Sequence, residues 1–122
     1  MTDKEKLSTI VSALDSKKAS DIRIIKIDKL TSLTEYFVVA SGTSTTHVKA
    51  LADEVEFQMK GKGALPDGEE GYSFANWVLL DWGSVVVHIF GNETREFYSL
   101  ERLWQDGEEI DAKEFLKSGD NK

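Results

Sequence analysis

The chain has no cysteine. That excludes disulfide frameworks and thiolate metal sites, and it leads us to expect a cytoplasmic location. Cationic side chains are in deficit: Lys and Arg number 15 against 22 for Asp and Glu, a net charge of −7. Broad contact with phosphate backbones requires a basic surface, so little direct nucleic-acid contact is expected. An acidic surface suits a basic protein partner, or serves solubility alone. Long apolar runs are missing as well. None approaches the roughly 18 residues that a membrane span requires, and Met1-Thr2-Asp3-Lys4-Glu5 lacks the apolar segment of a signal peptide, so no membrane role is expected. Only His47 and His88 supply imidazoles, and no HxxxH or ExxH pairing surrounds them, so neither a metal nor any other cofactor is expected. The phosphate and nucleophile signatures GxxxxGK[ST], GxGxxG and GxSxG are also missing. Asp81, Ser84 and His88 are the right residue types for a hydrolytic triad. Along one strand, however, Ser84 and His88 would lie roughly 13 Å apart, too far for a hydrogen bond. No catalytic residues are therefore assigned.

What remains is an ordinary globular composition, with 40% apolar and 30% charged residues, and a length that favours one domain. Its organising stretch is Asn76 to Phe90, NWVLLDWGSVVVHIF. Two apolar runs split by a glycine-containing turn predict a β-hairpin. With Trp82-Gly83 as the turn, Leu80 faces Val85 and Val78 faces Val87, with Ile89 on the same aliphatic side. The other side carries Trp77, Leu79, Val86, His88 and Phe90. A hairpin with one solvated side alternates apolar with polar residues. This one does not, so its second side requires a cover, from the same chain or from a partner.

Around the hairpin, Thr2 to Leu14 predicts a helix with Leu7, Ile10, Val11 and Leu14 on one face and a Thr2/Glu5 capping box. Asp21 to Asp28 and Tyr36 to Ser41 predict strands. Val48, Leu51, Ala52, Val55 and Met59 mark the buried face of a second helix capped by Ser44 or Thr45, with Phe57 off that stripe. Gly61 to Gly71 reads as a surface loop, and Tyr72-Ser73-Phe74 as the start of a strand. Asn92 is placed to cap a short helix, followed by a second aromatic cluster at Tyr98, Leu100, Leu103 and Trp104. The order predicts an α/β (α+β) fold, a mixed sheet flanked by helices. Its core spans about residues 7–106, and 107–122 read as an acidic C-terminal extension. Tryptophan and tyrosine are enriched at interface hot spots. The candidate partner-binding set is therefore Trp77, Leu79, Asp81, His88, Phe90, Tyr98, Leu100 and Trp104.

Several stretches share a family signature: YFVVASGTS (Tyr36 to Ser44), VKALADEV (Val48 to Val55), EGY (Glu70 to Tyr72), WVLLD (Trp77 to Asp81), VVVHIF (Val85 to Phe90) and REFYSLERLW (Arg95 to Trp104). Together they closely resemble the ribosomal silencing factor (Iojap) family. The resemblance implies a nucleotidyltransferase-like fold without enzymatic activity. It implies binding to the large ribosomal subunit at its fourteenth protein, on the face that meets the small subunit. Docking there blocks subunit joining and lowers translation when nutrients are scarce, and free members tend to form homodimers. Active nucleotidyltransferases follow a strand-end Gly-Ser with closely spaced carboxylates. Here Gly42-Thr43-Ser44 leads to Thr45, Thr46 and His47, and the first acids are Asp53 and Glu54. The alternative, a degenerate nucleotide-binding enzyme using Gly42, Thr43 and Ser44, stays open at this level.

Overall fold

The computed structural model describes residues 1–28, 34–92 and 107–120, with side chains in the last segment to Leu116. Its elements run α1 (Asp3–Ser16), β1 (Ser20–Lys26), β2 (Tyr36–Gly42), α2 (Thr45–Gly61), β3 (Gly68–Glu70), β4 (Trp77–Asp81), β5 (Val85–Gly91), β6 (Glu108–Ile110) and α3 (Lys113–Asp120). The strands form one mixed sheet in the order β3-β4-β5-β2-β1-β6. Only β2 and β5, at its centre, run parallel; the other neighbours are antiparallel.

Local chemistry starts the helices where the sequence predicts. Thr2 Oγ1 accepts from the Glu5 N–H at 3.1 Å, and Glu5 Oε1 accepts from the Thr2 N–H at 3.2 Å, closing the capping box at α1. Ser44 Oγ accepts from the His47 N–H at 3.1 Å at α2. Leu7, Ile10, Val11 and Leu14 of α1 and Val48, Leu51, Ala52, Val55 and Met59 of α2 are all buried. They pack on Ile24, Val38, Ala40, Val78, Leu80, Val85, Val87 and Ile89 in the main core, on one face of the sheet.

The hairpin turn sits one residue later than expected, at Gly83-Ser84, with the Trp82 N–H donating to Val85 O at 2.9 Å. Asp81 pairs with Val86, Leu79 with His88 and Trp77 with Phe90, a register two residues from the one that a Trp82-Gly83 turn would set. The Asp81 carboxylate accepts the Gly83 N–H at 2.7 Å and braces the turn in this position. A shift of two residues preserves side-chain parity, so every hairpin residue keeps its expected face. The loop is tied to α1. Lys6 Nζ donates to Trp82 O at 3.0 Å and Ser84 Oγ at 3.1 Å, and the Ser84 hydroxyl donates to Asp3 Oδ1 at 2.6 Å. Trp82 is only 4% exposed and belongs to the main core.

Two short strands depart from the sequence reading. β3 falls in the stretch read as a loop, and Tyr72 to Phe74 is a turn, with Phe74 exposed. Beyond residue 106, β6 pairs with β1, and α3 packs Phe115 and Leu116 against the main core. Both three-residue strands are rich in glutamate, a composition that discourages edge-to-edge association.

Candidate functional site

The second face of the sheet is built by strand alternation. It presents Trp77, Leu79 and Asp81 from β4, Val86, His88 and Phe90 from β5, and Phe37 and Val39 from β2. Ile25, Ile27, Val39 and Phe90 form a separate buried cluster there, with Phe37 and Trp77 half-buried at its margin. The residues on this face lie at different depths. Phe90 is fully buried and His88 is 5% exposed, whereas Trp77, Leu79 and Asp81 are intermediate. Phe90 and His88 thus support the surface from beneath, and the β4 side chains reach its exterior. Tyr98, Leu100 and Trp104 lie outside the described residues.

Trp77 is held firmly. Its ring stacks on Phe90 with centroids 5.0 Å apart, and its Nε1–H donates to His88 Nδ1 at 3.0 Å. Because Trp77 is only a donor, His88 Nδ1 must be unprotonated, and the neutral ring carries its hydrogen on Nε2. That Nε2 is buried with no hydrogen-bond partner among the described residues. Phe37 meets the imidazole edge-on at 4.7 Å. Burial in this aromatic setting pushes the His88 pKa down to about 4.

The imidazole ring therefore makes stability pH-dependent. The unfolded chain takes up the His88 proton near pH 6.5 and the folded chain only near 4, so stability is complete above 6.5 and falls as the pH drops toward 4. His88 alone should remove roughly 2 kcal/mol between pH 7.5 and 5. Urea midpoints of wild type and His88→Gln at the two pH values measure it. The variant should start less stable and lose less, and groups common to both proteins, Glu56 among them, cancel in the comparison. Equal losses would contradict the buried neutral ring.

Acids surround the β4 side chains. Glu70 pairs across from Leu79, and Gly68 across from Asp81. Asp67 sits beside the turn, its N–H donating to Asp81 O at 2.6 Å. Leu79, the next residue after Trp77 on this face, is thus flanked by carboxylates, which fits a basic partner surface.

The strand-to-helix turn at Gly42-Thr43-Ser44 is occupied internally. The Thr43 N–H donates to His47 Nδ1 at 2.9 Å, and His47 Nε2–H donates to Lys17 O at 2.7 Å. His47 thereby clasps the turn to the end of α1 and consumes a donor that a phosphate would need. No group of three or more His, Cys, Asp or Glu side chains among the described residues could hold a metal ion.

Comparison with known proteins places this geometry among relatives. The family model described as "Ribosomal silencing factor during starvation" matches residues 1–122. A ribosomal silencing factor of Bacillus subtilis is 37% identical over 106 residues, covering 87% of this chain and 90% of that protein. The mouse protein named for mitochondrial assembly of the ribosomal large subunit is 37% identical over 101 residues, 80% of this chain and 44% of its own length. A crystal structure of a Chromobacterium violaceum protein superposes with a TM-score of 0.83 at 39% identity, covering 85% of this chain and 87% of that one. A Bacillus halodurans structure gives 0.80 at 33% identity, over 89% and 99% of the two chains.

Proposed function

The chain belongs to the ribosomal silencing factor family, and from that premise we propose that it represses translation by docking on the large ribosomal subunit through the β4 side of its second sheet face. The partner is a basic protein of that subunit, its fourteenth, on the face that meets the small subunit. Occupying that face blocks subunit joining by steric exclusion and lowers translation under nutrient limitation. The protein acts in the cytoplasm as a single-domain binding module, without catalysis or cofactor. The free chain covers the same apolar surface by forming a homodimer.

One observation carries this reading. Trp77 is half-buried, locked in place by Phe90 and His88, and followed on the same face by Leu79, which the acids Glu70 and Asp81 flank. A preorganised aromatic anchor loses little conformational freedom on binding, and the acidic border steers a basic partner. The competing reading, a nucleotide-binding enzyme at Gly42 to Ser44, is weakened because His47 already takes the Thr43 N–H.

Trp77→Ala should weaken binding to isolated large subunits by about 2 kcal/mol or more, roughly thirtyfold. Co-sedimentation measures the affinity, and light scattering of subunit association measures the block. Circular dichroism checks that the variant is folded. A folded Trp77→Ala protein that binds and blocks normally would remove this face from the mechanism. Failure of the wild type to inhibit joining would remove the role itself.

A further inference from the structure

A second surface feature lies on the helix-covered side of the sheet, away from Trp77. Phe57 of α2 is 72% exposed and Leu65 of the following loop is 67% exposed. With Pro66, Asp53, Glu56 and Lys60 they line a pocket of about 300 Å³. Val55 and Met59 take the buried face of α2, so Phe57 contributes nothing to the main core. β3 completes the acidic wall. Glu69 pairs across from Leu80, a main-core residue, so its side chain leaves the strand toward α2 and Glu56. Glu70, one residue on, turns to the other face. Tyr72 closes the far side, donating its hydroxyl to Asp53 Oδ2 at 3.1 Å.

We propose that this pocket is a second docking site, which takes an arginine or lysine side chain from an extended basic segment of a partner protein. The cation enters between Glu56 and Glu69, and an apolar neighbour in the segment rests on Phe57 and Leu65. Charge decides the occupant. Asp53 and Glu56 line the pocket and Glu69 stands beside Glu56, against Lys60 in the lining and Lys49, whose Nζ lies 5.5 Å from the Tyr72 ring centroid; the excess of carboxylates repels phosphates and attracts a cation. The apolar walls supply the contact area that a lone charge pair in water lacks. The Glu56 carboxyl is pushed up to about 7, first by its burial and then by Glu69 and Asp53. Near neutral pH it is therefore partly protonated, and an entering guanidinium displaces that proton. Binding should tighten as the pH rises through 7, with proton release. This site does not depend on the ribosome-docking face.

The probe is an N-acetylated hexapeptide of alternating arginine and leucine, with a citrulline-for-arginine version as the neutral control. Calorimetry on the full chain should show one site, several-fold tighter at pH 8 than at pH 6, and no binding of the citrulline peptide. Glu56→Gln should weaken binding tenfold or more and abolish its pH dependence. Phe57→Ala should weaken it comparably, and Trp77→Ala should leave it unchanged. Amide shifts should map to residues 53–70. Absence of binding, equal affinity in Glu56→Gln and Phe57→Ala, or shifts centred on Trp77 and Leu79 would overturn the proposal. So would sedimentation showing a dimer that Phe57→Ala dissociates, which would make a second copy the occupant.

Discussion

Phe90→Ala is expected to lower the free energy of unfolding by about 3–5 kcal/mol, the range for truncating a fully buried aromatic side chain. Phe90 is 0% exposed, and among the described residues it packs with Ile25, Ile27 and Val39, with Phe37 and Trp77 at the margin. Total stabilities of about 5–15 kcal/mol leave such a variant near its threshold. The loss should also reach the surface, because Phe90 carries the stacked Trp77 ring. Urea denaturation gives the energy, and near-ultraviolet circular dichroism reports the tryptophan environment. Phe90→Leu, which keeps most of the volume, should retain most of both. A loss below about 1 kcal/mol for Phe90→Ala would show that the second face contributes little to stability.

Gly71→Ala should be comparably damaging for a different reason. Gly71 has φ +82, a left-handed conformation that costs a side-chain-bearing residue about 1 kcal/mol. More seriously, a Cβ at this position would stand 3.2 Å from the Trp77 carbonyl carbon and closer still to its oxygen. Those are backbone atoms of β4, so relief requires moving the strand that presents Trp77. A total loss of about 3 kcal/mol or more is expected, with weakened large-subunit binding in whatever fraction folds. Gly83→Ala provides the control. Its φ is +77, yet the nearest atom to its Cβ would be an Asp67 carboxylate oxygen at an ordinary 3.6 Å. That variant should lose only the conformational part, and the difference between the two in urea midpoint isolates the collision. Equal losses at the two glycines would discount the collision with Trp77.

These variants also show where the sequence was informative. The stripes of α1 and α2, their caps and the two faces of the hairpin follow from periodicity, which depends only on helix pitch and strand pleat. Depth does not follow from periodicity. Alternation puts Trp77, Leu79, His88 and Phe90 on one face but cannot distinguish the fully buried Phe90 from the half-buried Trp77. The position of the turn was hidden too, because the Asp81 side chain, as well as the glycine, shapes it. The strands β3 and β6 were illegible for a plainer reason. Sequences such as GEE and EEI carry no apolar alternation, and a neighbouring backbone alone defines them as strands. The acidic Glu56–Glu69 pairing depends on that unrecognised β3, so it too emerged only from the fold.

The parallel pair at the centre of the sheet bears on how the molecule is made. Tyr36 of β2 lies beside Val85 of β5, so α2, β3 and β4 all intervene before the two middle strands can meet. Closing so long a loop costs entropy before any contact rewards it, and chains dominated by such distant pairings fold slowly for their size. During synthesis, β1, β2 and the first two helices leave the exit tunnel while the inner edge of β2 still lacks its neighbour. The nascent chain acquires its central pairing only once β5 has emerged, so a message cut off after α2 would yield a fragment with an open apolar edge and no stable domain.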